Sequence, residues 1–185
     1  FRLNVCVTPS YNADYDGDEM NMHVPQSLQT ENELIQLAAV PTQIISPRDA
    51  KPIISIVQDI ALGVYRITHD QVMLSQKHFF NILCNTSKFS GTFESSKFKD
   101  EYGTPKWSGK QLISTIIPPN VNIKVGNKSF DPADKENPYD DKNYVRIENG
   151  NLNQGILDKK IYQDMTNGLI HTVYNENGPI ECTNV

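Results

Sequence analysis

The sequence predicts an α+β fold, with helices and small antiparallel sheets segregated along the chain, on three observations. The first eight residues, FRLNVCVT, alternate apolar and polar side chains, the period of a half-buried strand. Between residues 28 and 84 apolar residues recur at helical spacing. Towards the C-terminal end short alternating runs stand between Asn, Asp, Gly and Pro clusters, as small hairpins do.

Phe1, Leu3, Val5 and Val7 share one face of the first expected strand, which Pro9 and Ser10 end. A dense polar loop, YNADYDGDEMN, follows, and Met22 to Pro25 predicts a short second strand closed by proline. Ser27 suits the N-cap of a helix reaching Val40, with Leu34, Ile35, Leu37 and Ala38 on its apolar face, Glu31 and Glu33 early, and Pro41 as its stop. QIIS at 43–46 predicts a strand running into the turn Pro47 to Pro52. Ile53, Ile54, Ile56, Val57, Ile60, Ala61 and Val64 predict a second helix closing near Gly63 or shortly after, and Val72, Met73, Phe79, Phe80, Ile82 and Leu83 a third over 69–84. Residues 85–106 carry no period and read as loop with short strand pieces. WSGKQLISTIIP, 107–118, predicts a short helix from Ser108, with Trp107 in the core. VNIKV, YVRIENG and LIHTVY read as hairpin strands.

A chain of 185 residues makes one or two domains and buries enough surface, about 70% of what its unfolded form exposes, to need no disulfide staples. Cys6, Cys84 and Cys182 are odd in number and form no CxxC pair, so reduced, buried thiols and an intracellular setting are expected. The formal charge is −5, split as −3 over residues 1–92 (6 basic, 9 acidic) and −2 over 93–185 (11 basic, 13 acidic). With no basic tail, the chain is not expected to hold DNA or RNA tightly by itself. No apolar run approaches the roughly 20 residues of a membrane helix, so no membrane partner is expected. The strand-like start without methionine suggests a piece of a longer polypeptide.

The polar loop carries the chemistry. Asp14, Asp16 and Asp18 stand at i, i+2 and i+4, so an extended backbone sends all three carboxylates from one face, and Gly17 lets the chain bend and tighten them. Carboxylates gathered so closely repel unless a cation compensates, and a hard divalent ion with oxygen ligands, Mg²⁺ before Ca²⁺, is the natural counter-charge. An acidic solvated turn is the simpler reading of any such cluster and stays open on the aspartates alone. The twelve-residue calcium loop does not fit: its sixth position is Glu19 where glycine is required and its twelfth is Pro25 where glutamate is required. Aspartyl-nucleophile phosphatases place their aspartates directly after a buried apolar strand, whereas Ser10, Tyr11, Asn12 and Ala13 precede Asp14 here.

The longer string YNADYDGDEMNMHVPQS, 11–27, resembles the catalytic loop of the largest subunit of multisubunit DNA-directed RNA polymerases, whose pattern is NADFDGD. The resemblance continues through LAAVPTQIISP at 37–47, KPIISIVQDIALGVYRIT at 51–68, KWSGKQLIS at 106–114 and GLIHTV at 168–173. EMNMHVPQS is closer to the eukaryotic, archaeal and large-DNA-virus versions than to the bacterial QMAVHVPLS, and Tyr15 replaces the usual phenylalanine while keeping an aromatic ring.

The resemblance implies that residues 1–40 are the end of an active-site domain, the C-terminal part of a double-psi β-barrel, and that 41–185 are most of a mixed α/β pore domain. It implies that Asp14, Asp16 and Asp18 hold the catalytic Mg²⁺, that a second Mg²⁺ arrives with the nucleoside triphosphate, and that Asn12 meets the sugar of that nucleotide. Lys110 would line the route by which nucleotides enter. Glu19 is an outer acid or a solvated turn residue, His23 a structural residue bonded to backbone near the loop in preference to a direct contact with nucleic acid, and Gln58 and Asp59 satisfy buried backbone or a helix end rather than act in catalysis. The expected partners are the second-largest subunit, the other polymerase subunits, DNA template, RNA transcript and nucleotide. The expected place is the nucleus, or the cytoplasm or virion if the source is viral. Alone, the chain should be silent. A separately encoded split subunit and a non-catalytic assembly module are the alternatives; nothing but metal chemistry requires three such aspartates, which disfavours the second.

Overall fold

A computed structural model describes residues 1–86, 89, 91, 93–126, 144–164 and 166–185. The expected irregular segment over 127–143 lies outside the described residues. The fold is α+β, with two three-stranded antiparallel sheets and two apolar cores.

The N-terminal strand does not form. Val5–Val7 make a 3-10 turn that leads into the one-turn helix α1 (Thr8–Tyr11). Strand hydrogen bonds need a neighbour, and no strand among the described residues lies alongside. The backbone bonds to itself: Asn4 accepts the Cys6 amide on its side chain at 2.9 Å, and the Val7 amide donates to the Asn4 carbonyl at 3.1 Å. Residues 22–25 likewise form no strand.

Helix α2 (Leu28–Glu33) starts where expected, the Ser27 hydroxyl accepting the Thr30 amide at 3.2 Å. It widens into a π-helical turn over Leu34–Ala38 and stops at Ala39, whose extended backbone leads into Val40 and Pro41. Its apolar residues stay exposed, Leu37 at 69%. The strand expected at QIIS shrinks to one bridge, Ile45 to Pro52, closing the turn between them.

The second helix begins later than its apolar spacing suggests. Ile53 to Val57 are not helical, Ile53 and Ile54 lying in a bend and Val57 extended, and α3 runs Gln58–Ile67. Four of those five residues are Ile or Val, whose branched Cβ favours extended backbone, and Ile54 and Ile56 still reach the larger core. Gly63 does not end α3; Thr68 does, its hydroxyl donating to the Val64 and Tyr65 carbonyls at 2.9 and 3.1 Å. Where one helix was expected over 69–84, β1 (Met73–Ser75) feeds α4 (Gln76–Leu83) through the N-cap Ser75.

The β1 strand pairs with β3 (Pro105–Ser108), which also pairs with β2 (Phe98–Lys99), in the order β1-β3-β2. This sheet carries the smaller core: Phe79 stacks on Trp107 with ring centres 5.2 Å apart, and Leu83 and Leu112 close around them. The expected short helix is α5 (Gly109–Ser114), opened by a reciprocal cap in which the Ser108 hydroxyl accepts the Gln111 amide and the Gln111 side chain accepts the Ser108 amide.

The second sheet contains two of the expected hairpin strands, β4 (Ile123–Gly126) and β5 (Tyr144–Glu148), and adds β6 (Asn151–Gln154), which the alternation did not point to, in that order. Asn149 and Gly150 turn β5 into β6 with φ of 50° and 76°, the left-handed pair that suits a two-residue hairpin. LIHTVY is not a strand: it opens α6 (Leu169–Thr183), interrupted at Gly178 with φ 84° before Pro179. Six residues are too few to separate a period of 2 from one of 3.6, and burial of Leu169, Ile170 and Val173 is a helical face. These residues join Val121, Val145, Ile147, Leu157 and Ile161 in the larger core.

A Cβ on Gly109 would sit 1.9 Å from the Ile67 carbonyl oxygen, while one on Gly63, inside α3, meets nothing within 4 Å. Gly109→Ala should therefore destabilise the chain by about 1–3 kcal/mol through overpacking. Gly63→Ala should stabilise it by up to about 1 kcal/mol. Urea unfolding of the two variants checks both signs.

Candidate metal centre

The loop between α1 and α2 draws its three aspartates together as the spacing predicts. One carboxylate oxygen from each of Asp14, Asp16 and Asp18 lies within 4.8 Å of the others, and all three side chains are exposed. The backbone builds this from inside. The Asp14 amide donates to Asp18 Oδ2 at 3.0 Å, the Asp16 amide donates to Asp14 Oδ1 at 3.2 Å, and Gly17 takes the bend at φ 124°. Among the described residues no lysine or arginine forms an ion pair with them.

Three carboxylates are a hard donor set, and their exposure leaves room for water. That fits Mg²⁺, which keeps part of its hydration shell and is held through one or two carboxylates in most sites. Coulomb repulsion among uncompensated charges at this spacing acts against the cluster, about 1 kcal/mol per pair even in water.

Asn12 sits two residues before Asp14 in the left-handed conformation, φ 48° and ψ 41°, terminating α1. Asparagine tolerates this region better than other non-glycine residues. Glu19 is exposed beside the cluster. His23 is exposed as well, which corrects the structural role expected of it. Gln58 and Asp59 are also exposed rather than buried against backbone; Asp59 lies in the first turn of α3, where a carboxylate favours the helix dipole. Trp107 is core, as expected, its indole donating to the Glu94 carbonyl at 3.1 Å.

Lys110 is placed apart from the loop, on α5. Its side chain is only 10% exposed and its ammonium lies 2.6 Å from Asp70 Oδ1. Both residues line a polar cleft of about 320 Å³ with Gln111, Lys97, Asn151 and Asn153. The sequence gives no sign of this pair, because the partners lie forty positions apart and meet only through the β1-β3 sheet. On the same cleft the Lys97 ammonium holds the Glu94 carboxyl below its usual range, partly offset by burial. Of the three cysteines only Cys182 is buried; Cys84 is exposed and Cys6 half-buried, its thiol pushed up by burial against a weaker lowering from the Val57 amide.

Two family matches cover the chain. Residues 43–185 match the family described as RNA polymerase Rpb1, domain 3, and residues 1–40 match RNA polymerase Rpb1, domain 2. An acidic loop leading an α+β body is thus a region of a DNA-directed RNA polymerase subunit, a nucleotidyltransferase at the level of the family. The chain belongs to the RNA polymerase Rpb1 family, that of the largest subunit, and its partners are other polymerase subunits.

In the pair of Lys110 and Asp70 the lysine is buried and the aspartate half exposed, so removing one member at a time separates charge from packing. Asp70→Ala leaves the Lys110 ammonium desolvated with this partner gone and should cost about 1–3 kcal/mol, whereas Lys110→Met keeps the buried stem and should cost less than Asp70→Ala. Thermal unfolding of the two variants ranks them; equal losses would show that the Lys110 ammonium without Asp70 carries no desolvation penalty.

Proposed function

We propose that this chain supplies the catalytic metal loop of an RNA polymerase largest subunit, and that it acts only inside the full assembly. The observation that carries the reading is the convergence of Asp14, Asp16 and Asp18 within 4.8 Å in a chain of the Rpb1 family. The three carboxylates would hold the resident Mg²⁺, and a second would enter with the nucleoside triphosphate. When bound, the metal supplies acidification of the RNA 3′-hydroxyl and neutralisation of the departing pyrophosphate. The chain's own part is to hold the ligands together, through amides that donate to Asp14 and Asp18. Asn12, at the entrance of the loop, would meet the sugar of the incoming nucleotide. Lys110 enters only as lining of the polar cleft.

Residues 1–40 belong in this reading to the end of an active-site domain of the double-psi β-barrel type, and 41–185 to the pore domain. The exposed apolar residues of the first part, Phe1 and Leu28 each at 77% and Val24 at 74%, support docking of this segment against further polymerase elements, the second-largest subunit among them. DNA template and RNA transcript would then be held by basic surfaces outside this chain, in keeping with its charge of −5. The working place follows that of the parent enzyme: nucleus, or cytoplasm or virion for a viral one.

In the reconstituted enzyme, Asp16→Asn should lower RNA extension by about a thousandfold or more, the worth of several kcal/mol of metal-borne charge stabilisation. Subunit assembly, followed by native mass spectrometry, should be unchanged. Near-normal extension by this variant would overturn the catalytic reading.

A further inference from the structure

We propose that Thr8 is a positioning residue for the aspartate loop, fixing where the three carboxylates project. The inference rests on the metal reading above but on features outside the acidic cluster. Thr8, 6% exposed, is the only buried residue before Ile44. Its backbone carbonyl accepts the amides of Asn12 and Ala13, the latter at 3.1 Å, so the two residues leading into Asp14 are both tied to one atom. Its hydroxyl donates to the Val5 carbonyl at 2.8 Å, and its own amide is directed at the same oxygen. Residues 14–19 are exposed, and the hydrogen bonds described above for the cluster run within it. The entrance of the loop is therefore located by Thr8, and the carboxylates inherit that location through Asn12 and Ala13.

The hydroxyl is the part of Thr8 that can be removed without changing shape. Valine keeps the buried branched form, and Val5 still has the backbone amide as a donor, so the fold persists while the anchor loosens. A looser anchor spreads the carboxylates over more positions, and a Mg²⁺ site held by them then fills at higher free Mg²⁺. Serine restores the hydroxyl.

The test uses the reconstituted polymerase with the full largest subunit, assaying RNA extension across a Mg²⁺ titration at saturating nucleotide, and then across nucleotide at saturating Mg²⁺. Beside it, direct Mn²⁺ binding without nucleotide is followed by electron paramagnetic resonance, and its dissociation constant should rise in Thr8→Val by the same factor as the Mg²⁺ requirement. Thr8→Val should raise the Mg²⁺ concentration for half-maximal extension about fivefold, the equivalent of one net hydrogen bond. The KM for nucleotide should change little, and Thr8→Ser should return the Mg²⁺ requirement to within twofold of the parent. An unaltered Mg²⁺ requirement in Thr8→Val, or a Thr8→Ser enzyme as impaired as Thr8→Val, would overturn the assignment. Asp16→Asn in the same assay separates the two levels: its inactivity beside a normal Thr8→Val enzyme removes Thr8 alone, whereas its activity removes the metal reading and this inference with it.

Discussion

Both apolar cores meet at the end of α3, and the rest of the body depends on that junction. Ile67 packs with the Phe79, Leu83, Trp107 and Leu112 cluster, while the fully buried Thr68 hydroxyl accepts the amide of Leu157, a member of the larger cluster. A buried backbone amide without a partner is destabilising, so this bond, across 89 positions of sequence, fixes how the two halves dock. The Ile67 carbonyl also faces Gly109 too closely for any side chain there. A second tie of the same kind joins Ser114 of α5 to the Leu152 amide of β6 at 2.9 Å. Hydroxyls that donate to their own helix and accept from a segment distant in sequence let separate elements share a core without stranding polar groups.

The acidic loop sits outside this arrangement for an electrostatic reason. Three carboxylates cannot be buried together without a cation, because desolvation and mutual repulsion act in the same direction. Exposure keeps them solvated, and exposure is also what a Mg²⁺ ion with retained waters needs. The segment that bears them, residues 1–43, contributes one buried side chain, Thr8, and leaves many of its apolar residues open. Body and loop thus divide the work: residues from 44 onward hold the fold, and the preceding segment leaves its charge and apolar surface exposed.

Local chemistry was legible in the sequence wherever a few adjacent residues decide the outcome. Ser27 and Ser108 cap helices within reach of their own side chains, and the aspartates at alternate positions converge. What misled was alternation without context. FRLNVCVT alternates yet coils, because a strand exists only with a neighbour to bond; LIHTVY alternates yet is helical, because its burial is set by the larger core. Gln58 and Asp59 lie in solvent at the start of α3, the helix end that was the second half of their reading, and His23, read as bonded to backbone, lies in solvent as well.

The family, the order of most elements and the residues of the acidic loop were determined by the sequence alone, since motif, spacing and caps are short-range. Tertiary structure decided the rest: the Lys110 to Asp70 ion pair, the Thr68 bridge to Leu157, the break of α6 at Gly178 and the burial of Thr8 beneath the loop. The reason is distance along the chain. A hydrogen bond or ion pair between residues 40 or 89 positions apart depends on which surfaces the folded cores bring together, and no local pattern of side chains records that.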